Sequence, residues 1–129
     1  MSALLRRSIV VALPLVLLLG ACGRGPRPDP DEWQDTWDSM LAVVPSESDL
    51  GSPPNEQVCQ SALRGIREHS ENLIPSPSVT VDDLANEWVT VAERSFFECP
   101  PDGQDITSFD DAYEEMARIE QAIAAALSS

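Results

Sequence analysis

The sequence predicts an all-α protein: a small antiparallel bundle of about four amphipathic helices stapled by one disulfide. Three observations predict it. Apolar residues recur at helical spacing in four stretches, proline-rich segments part those stretches, and two cysteines fall at what would be neighbouring helix ends. No stretch gives a convincing strand.

The first helix is expected from about Asp31 to Val44. Asp29 is placed to cap it, with Pro30 at the first helical position and Glu32 three residues after the cap. Trp33, Trp37, Met40, Leu41 and Val44 then share one face, and Pro45 stops the run. Residues 46–54 read as a loop. A second helix is expected from about Asn55 to Leu73, with Cys59, Ala62, Leu63, Ile66 and Leu73 facing inward. Gly65 inside it costs roughly 1 kcal/mol against alanine, which points to close helix packing. Pro75 and Pro77 punctuate the next loop.

The third helix is expected to start at Thr80, an N-cap with Asp83 three residues on, and with Val79 and Leu84 positioned as a hydrophobic staple. Its stripe is Leu84, Trp88, Val91 and Phe96, ending before Pro100-Pro101. After a polar loop over 102–107, Ser108 is expected to cap a fourth helix reaching about Leu127. Phe109, Tyr113, Met116, Ile119, Ile123 and Leu127 line its core face.

Ahead of these helices the chain has a different composition. Met1–Arg7 is a short basic start, Ser8–Leu19 is an apolar run containing Pro14, and Gly20-Ala21 supplies small residues before Cys22. About a dozen apolar residues fall short of the roughly 20 that a membrane-spanning helix needs. The segment Leu19-Gly20-Ala21-Cys22 resembles the lipobox of bacterial lipoproteins, a resemblance covering about the first 22 residues. It implies that the Cys22 thiol receives a diacylglyceryl group and that the bond before it is cut. The alternative is an ordinary export signal cleaved after Ala21, leaving Cys22 as a free thiol. Arg6-Arg7 could also belong to a twin-arginine signal, but Ser8-Ile9-Val10 match that pattern poorly.

The resulting division is a signal peptide over residues 1–21, a Gly/Pro-rich tether over 22–30 and a helical domain over 31–129. Each buried methylene contributes about 0.8 kcal/mol, so two or three acyl chains hold firmly where one binds reversibly. The expected location is the extracytoplasmic side of a cell membrane or envelope. The Gly23–Pro28 stretch reads as a spacer without apolar side chains to bury, its Arg24 and Arg27 able to sit near acidic headgroups.

Export places Cys59 and Cys99 in an oxidising compartment. If the second and third helices pair as a hairpin, the start of one lies beside the end of the other. A disulfide there would close a loop of about 41 residues, worth about 4 kcal/mol in the chain-entropy view. Neither cysteine has a Cys-x-x-Cys spacing or a nearby histidine, which disfavours a redox pair or metal ligands.

Charge narrows the partners. The chain carries 22 acidic residues and eight basic ones for a net charge of −14, and every basic residue is arginine. Arg6 and Arg7 belong to the leader, so the exported part is more acidic still. Phosphate backbones repel such a surface, and nucleic acid is excluded as a partner. Asp110/Glu114 and Asp111/Glu115 are like charges four apart on one helix, destabilising unless a cation, an arginine or a partner relieves them. They read as a solvated acidic face, a surface for a cationic partner or a weak calcium site, though no EF-hand spacing occurs.

Trp33, Trp37 and Trp88 at helical spacing read first as core; Trp33, nearest the tether, is expected to be partly exposed. His69, the only histidine, reads as a residue at the core edge; there is no HExxH and no nucleophile elbow. The sequence therefore predicts no enzyme, no catalytic or metal residues and no cofactor. It points to a membrane-anchored protein-binding or accessory module at the envelope, engaging a protein partner through Trp33, Trp37, Asp110, Asp111, Glu114 and Glu115. The alternative is a carrier of a small apolar or lipidic ligand between the helices.

Overall fold

Asp29 starts the first helix in the way its chemistry favours: its carboxylate accepts the Asp31 backbone N–H at 2.9 Å, and Pro30 follows at the first helical position. The computed structural model describes residues 26–51, 53–99 and 107–129. Within them lie α1 (Pro30–Leu41), a single turn α2 (Glu47–Leu50), α3 (Glu56–Ser70), α4 (Val79–Phe97) and α5 (Thr107–Leu127). No strand occurs among the described residues. Residues 1–25, the leader and Cys22 among them, lie outside the described residues, as do 100–106 with most of the expected polar loop.

Contacts far apart in sequence fix the arrangement. Trp33 meets Leu73, and Gly65 meets Val43 just beyond α1, so α1 and α3 run antiparallel. Cys59 near the start of α3 is bonded to Cys99 just past α4, with Cα atoms 6.2 Å apart, so those two also run antiparallel. Phe96 packs on Phe109 while Trp88 bonds Glu120, which reverses α5 against α4. Tyr113 closes the circle by donating to the Pro45 carbonyl at 2.6 Å. The four long helices therefore form an up-down-up-down bundle.

The expected faces are the ones buried. Trp33, Trp37, Met40, Cys59, Ala62, Ile66, Leu73, Trp88, Val91, Phe96, Phe109, Met116, Ile119 and Ile123 all lie in the core. At its centre Trp33 stacks on Trp37 with ring centroids 5.6 Å apart, and Trp37 meets Trp88 edge-on at 5.2 Å. Tryptophan can be buried at low cost only if its N–H finds an acceptor. Trp33 Nε1 donates to the Leu73 carbonyl at 2.8 Å, and Trp88 Nε1 to Glu120 at 3.0 Å.

Four expectations are corrected. Trp33 is 2% exposed rather than partly open, because its indole N–H is drawn into the α3–α4 loop. Ser78, not Thr80, caps α4: its hydroxyl accepts the Val81 N–H, and Val79 is left 52% exposed, so no staple with Leu84 forms. Residues 46–54 are not all loop. Ser46 accepts from the Asp49 N–H and donates to the Asp49 carboxylate, a reciprocal box that nucleates α2. Finally, α5 begins at Thr107, which puts Ser108 inside its first turn rather than before it.

Gly65 lies where α3 closely approaches Val43, just past the end of α1. A Cβ built there would stand 2.9 Å from Val43 Cβ, an atom fixed directly to the backbone. Gly65→Ala should therefore lower stability by about 1 kcal/mol, overpacking outweighing the gain in helix propensity. A urea-unfolding midpoint below wild type is the expected readout; a raised midpoint would show that the approach is looser than this.

Candidate functional site

The acidic residues singled out in the sequence are all at the surface, on the first turns of α5. Asp110, Asp111, Glu114 and Glu115 are exposed because Phe109, Ala112, Tyr113 and Met116 take the inward positions of the same turns. Asp111 and Glu115 line a cleft of about 240 Å³ between α4 and α5, whose other walls include Phe109 and Arg94. Arg118 relieves part of the repulsion: it lies 3.9 Å from Glu115 and bonds Glu87 on α4 at 3.1 Å. These pairs are well solvated and worth little individually.

Trp33 and Trp37 do not join that face. Both are buried in the bundle centre, so neither presents a ring to a partner. The structure thus separates the candidate partner-binding residues into an exposed acidic set and a pair of core aromatics. His69 is half-buried near the end of α3, where its backbone carbonyl accepts the Asn72 N–H at 3.1 Å. Among the described residues no group of three or more His, Cys, Asp or Glu side chains is placed to hold a metal ion. Also among them, no helix is long and apolar enough to cross a membrane.

Two features went unread in the sequence. The first is Phe97, 71% exposed on α4, standing at a groove of about 410 Å³ with Arg67, Val89 and Arg94. The adjacent pair Phe96-Phe97 was its signal, since successive helical residues point about 100° apart and Phe96 already continues the Leu84, Trp88 and Val91 stripe. The second is a polar clasp built on Arg27. Its Nη1 donates to the Ser76 carbonyl at 2.8 Å and to the Asp82 carboxylate at 2.9 Å. Asp82 also accepts the Ser76 N–H at 2.8 Å, and Ser76 is fully buried with its hydroxyl donating to the Ser78 carbonyl. A residue read as part of a free tether is therefore bound to the α3–α4 loop.

Titration follows from this geometry. Burial alone would raise the Asp82 pKa, but hydrogen bonds from Ser76 and Arg27, with the Arg27 charge, outweigh it and hold the carboxyl below its ordinary value. Burial, with a smaller contribution from Glu47, pushes the Tyr113 hydroxyl up to about 12.

No protein-family model, curated protein sequence or solved structure matches the chain. The class defined by fold and surface is an acidic, disulfide-closed, four-helix bundle.

A carboxyl with a depressed folded-state pKa stabilises above its unfolded pKa, and that stability is lost as pH falls through the folded value. Arg27→Ala should cost about 1 kcal/mol at pH 7, and the gap to wild type should shrink as pH drops below about 4. Urea titrations at several pH values check this. Coincident curves at pH 7 would contradict the clasp.

Proposed function

We propose that this protein is an exported lipoprotein, anchored to the extracytoplasmic side of a cell membrane by lipid on Cys22. On this reading its helical domain serves as a protein-binding or accessory module at the envelope. The observation that carries the reading is the Leu19-Gly20-Ala21-Cys22 segment at the end of a short apolar run. An oxidised Cys59–Cys99 pair supports it, since such bonds persist outside the cytoplasm.

The binding role rests on the α5 face. Carboxylates one turn apart on this face repel each other, and among the described residues only Glu115 of the four has an arginine within 4 Å. A cationic segment on a partner would relieve that repulsion, with the Asp111–Glu115 cleft open to receive it beside the charge. The carrier alternative is less well supported. An internal ligand needs apolar space between the helices, and Trp37, packed between Trp33 and Trp88, occupies the centre of this bundle.

Both parts are tested in the host envelope. Radiolabelled palmitate should enter the wild-type protein and not Cys22→Ala, and the variant should leave the membrane fraction. Reversing Asp110, Asp111, Glu114 and Glu115 to lysine should remove crosslinked partners from a pull-down while palmitate labelling persists. Label on Cys22→Ala would overturn the anchor; an unchanged partner set after charge reversal would overturn the acidic interface.

A further inference from the structure

The bundle has two unlike ends. One gathers the start of α1, the end of α3, the start of α4 and the end of α5; the other holds the disulfide, Phe97 and the acidic turns of α5. Arg27 lies at the first. Bonded to Ser76 and Asp82 in the α3–α4 loop, it is itself only partly exposed, with 27% of its side chain open. Trp33 holds the same loop from the α1 side through Leu73.

We propose that Arg27 works as a strap buckle, fixing where the anchor leaves the domain so that the α3–α4 loop end faces the lipid surface. The proposal rests on the reading of Cys22 as the lipidated residue. Cys22 and Arg27 are five positions apart, and a fully extended chain of that length spans at most about 18 Å. Without the buckle the first fixed point would be the start of α1 at Pro30, and the reach would grow to about 29 Å. The short strap keeps this end beside the bilayer and sets the bundle's polarity.

Side chains at this end fit that placement. Ile74 and Val79 flank the buried Ser76 and are 43% and 52% exposed, two of the three exposed large apolar residues described. Carboxylates lie here as well: Asp29, Asp31, Glu32, Glu71 and Asp83 are exposed, which opposes deep insertion into an anionic surface. The expected arrangement is a held standoff rather than an embedded end. The acidic turns of α5 then sit at the far end. Val79 and Phe97 are 18 residues apart on α4, about 27 Å along its axis, several Debye lengths at physiological salt. The strap thereby presents the acidic face away from like-charged headgroups.

The test uses the full lipidated protein in phosphatidylcholine vesicles carrying a rhodamine-labelled phosphatidylethanolamine acceptor. With Cys22 acylated and Cys59–Cys99 oxidised, Val79→Cys or Phe97→Cys offers a single thiol for a donor dye. Both positions are surface-exposed, and flotation with the vesicles is scored first. Energy transfer should be clearly greater from position 79 than from 97, and Arg27→Ala should shrink that difference. Equal transfer from both positions in protein that floats would overturn the orientation while leaving the anchor intact. A difference unchanged by Arg27→Ala would overturn the buckle. Protein that does not float would overturn the anchor reading and the inference resting on it.

Discussion

Everything in this molecule depends on the bond that ties the start of α3 to the end of α4. A domain of this size buries a modest core, and the marginal stability of such domains is a small difference between large opposing terms. The Cys59–Cys99 link spans 40 positions in sequence and removes much of the freedom of the unfolded chain. It also sets the register in which α3 and α4 meet. With those two held, α1 packs on α3 and α5 on α4, so each outer helix docks on an arm of a fixed hairpin.

The tryptophan cluster fills the space that the hairpin defines. Trp33 and Trp88, each with its ring centroid within 6 Å of that of Trp37, supply with it much apolar contact in a short chain, provided their polar edges are matched. Leu73 and Glu120 perform that matching for Trp33 and Trp88. Each acceptor comes from a different part of the chain, so the same bonds that make burial tolerable also lock the α3–α4 loop and α5 in place. Removal of either indole would leave both a void and an unpaired acceptor.

Much of this was legible in the residues. Helical spacing identified the inward face of every long helix, and the two cysteines were placed correctly because helix order alone brought their ends together. What escaped was decided by contacts between distant segments. Trp33 was read as open from its place beside the tether, but its exposure was set by a carbonyl 40 residues away. Thr80 was read as the cap from its spacing to Asp83; the bonds from Ser76 to the Asp82 carboxylate and to the Ser78 carbonyl fix where the loop turns, and Ser78 takes the cap instead. The box formed by Ser46 and Asp49 was visible in principle, yet a single turn carries no periodicity to announce it. For the candidate site, exposure of the four α5 acids followed from the pattern. The Arg27 clasp did not, since an arginine between prolines gives no hint of its partner.

The most direct measurement of the central constraint compares the oxidised protein with a Cys59→Ser/Cys99→Ser variant by urea unfolding. A loss of about 3–4 kcal/mol, with helix content retained before the transition, is expected if closure of the hairpin stabilises the rest. A difference within about 0.5 kcal/mol would contradict it, showing that the tryptophan core holds the bundle without the covalent tie.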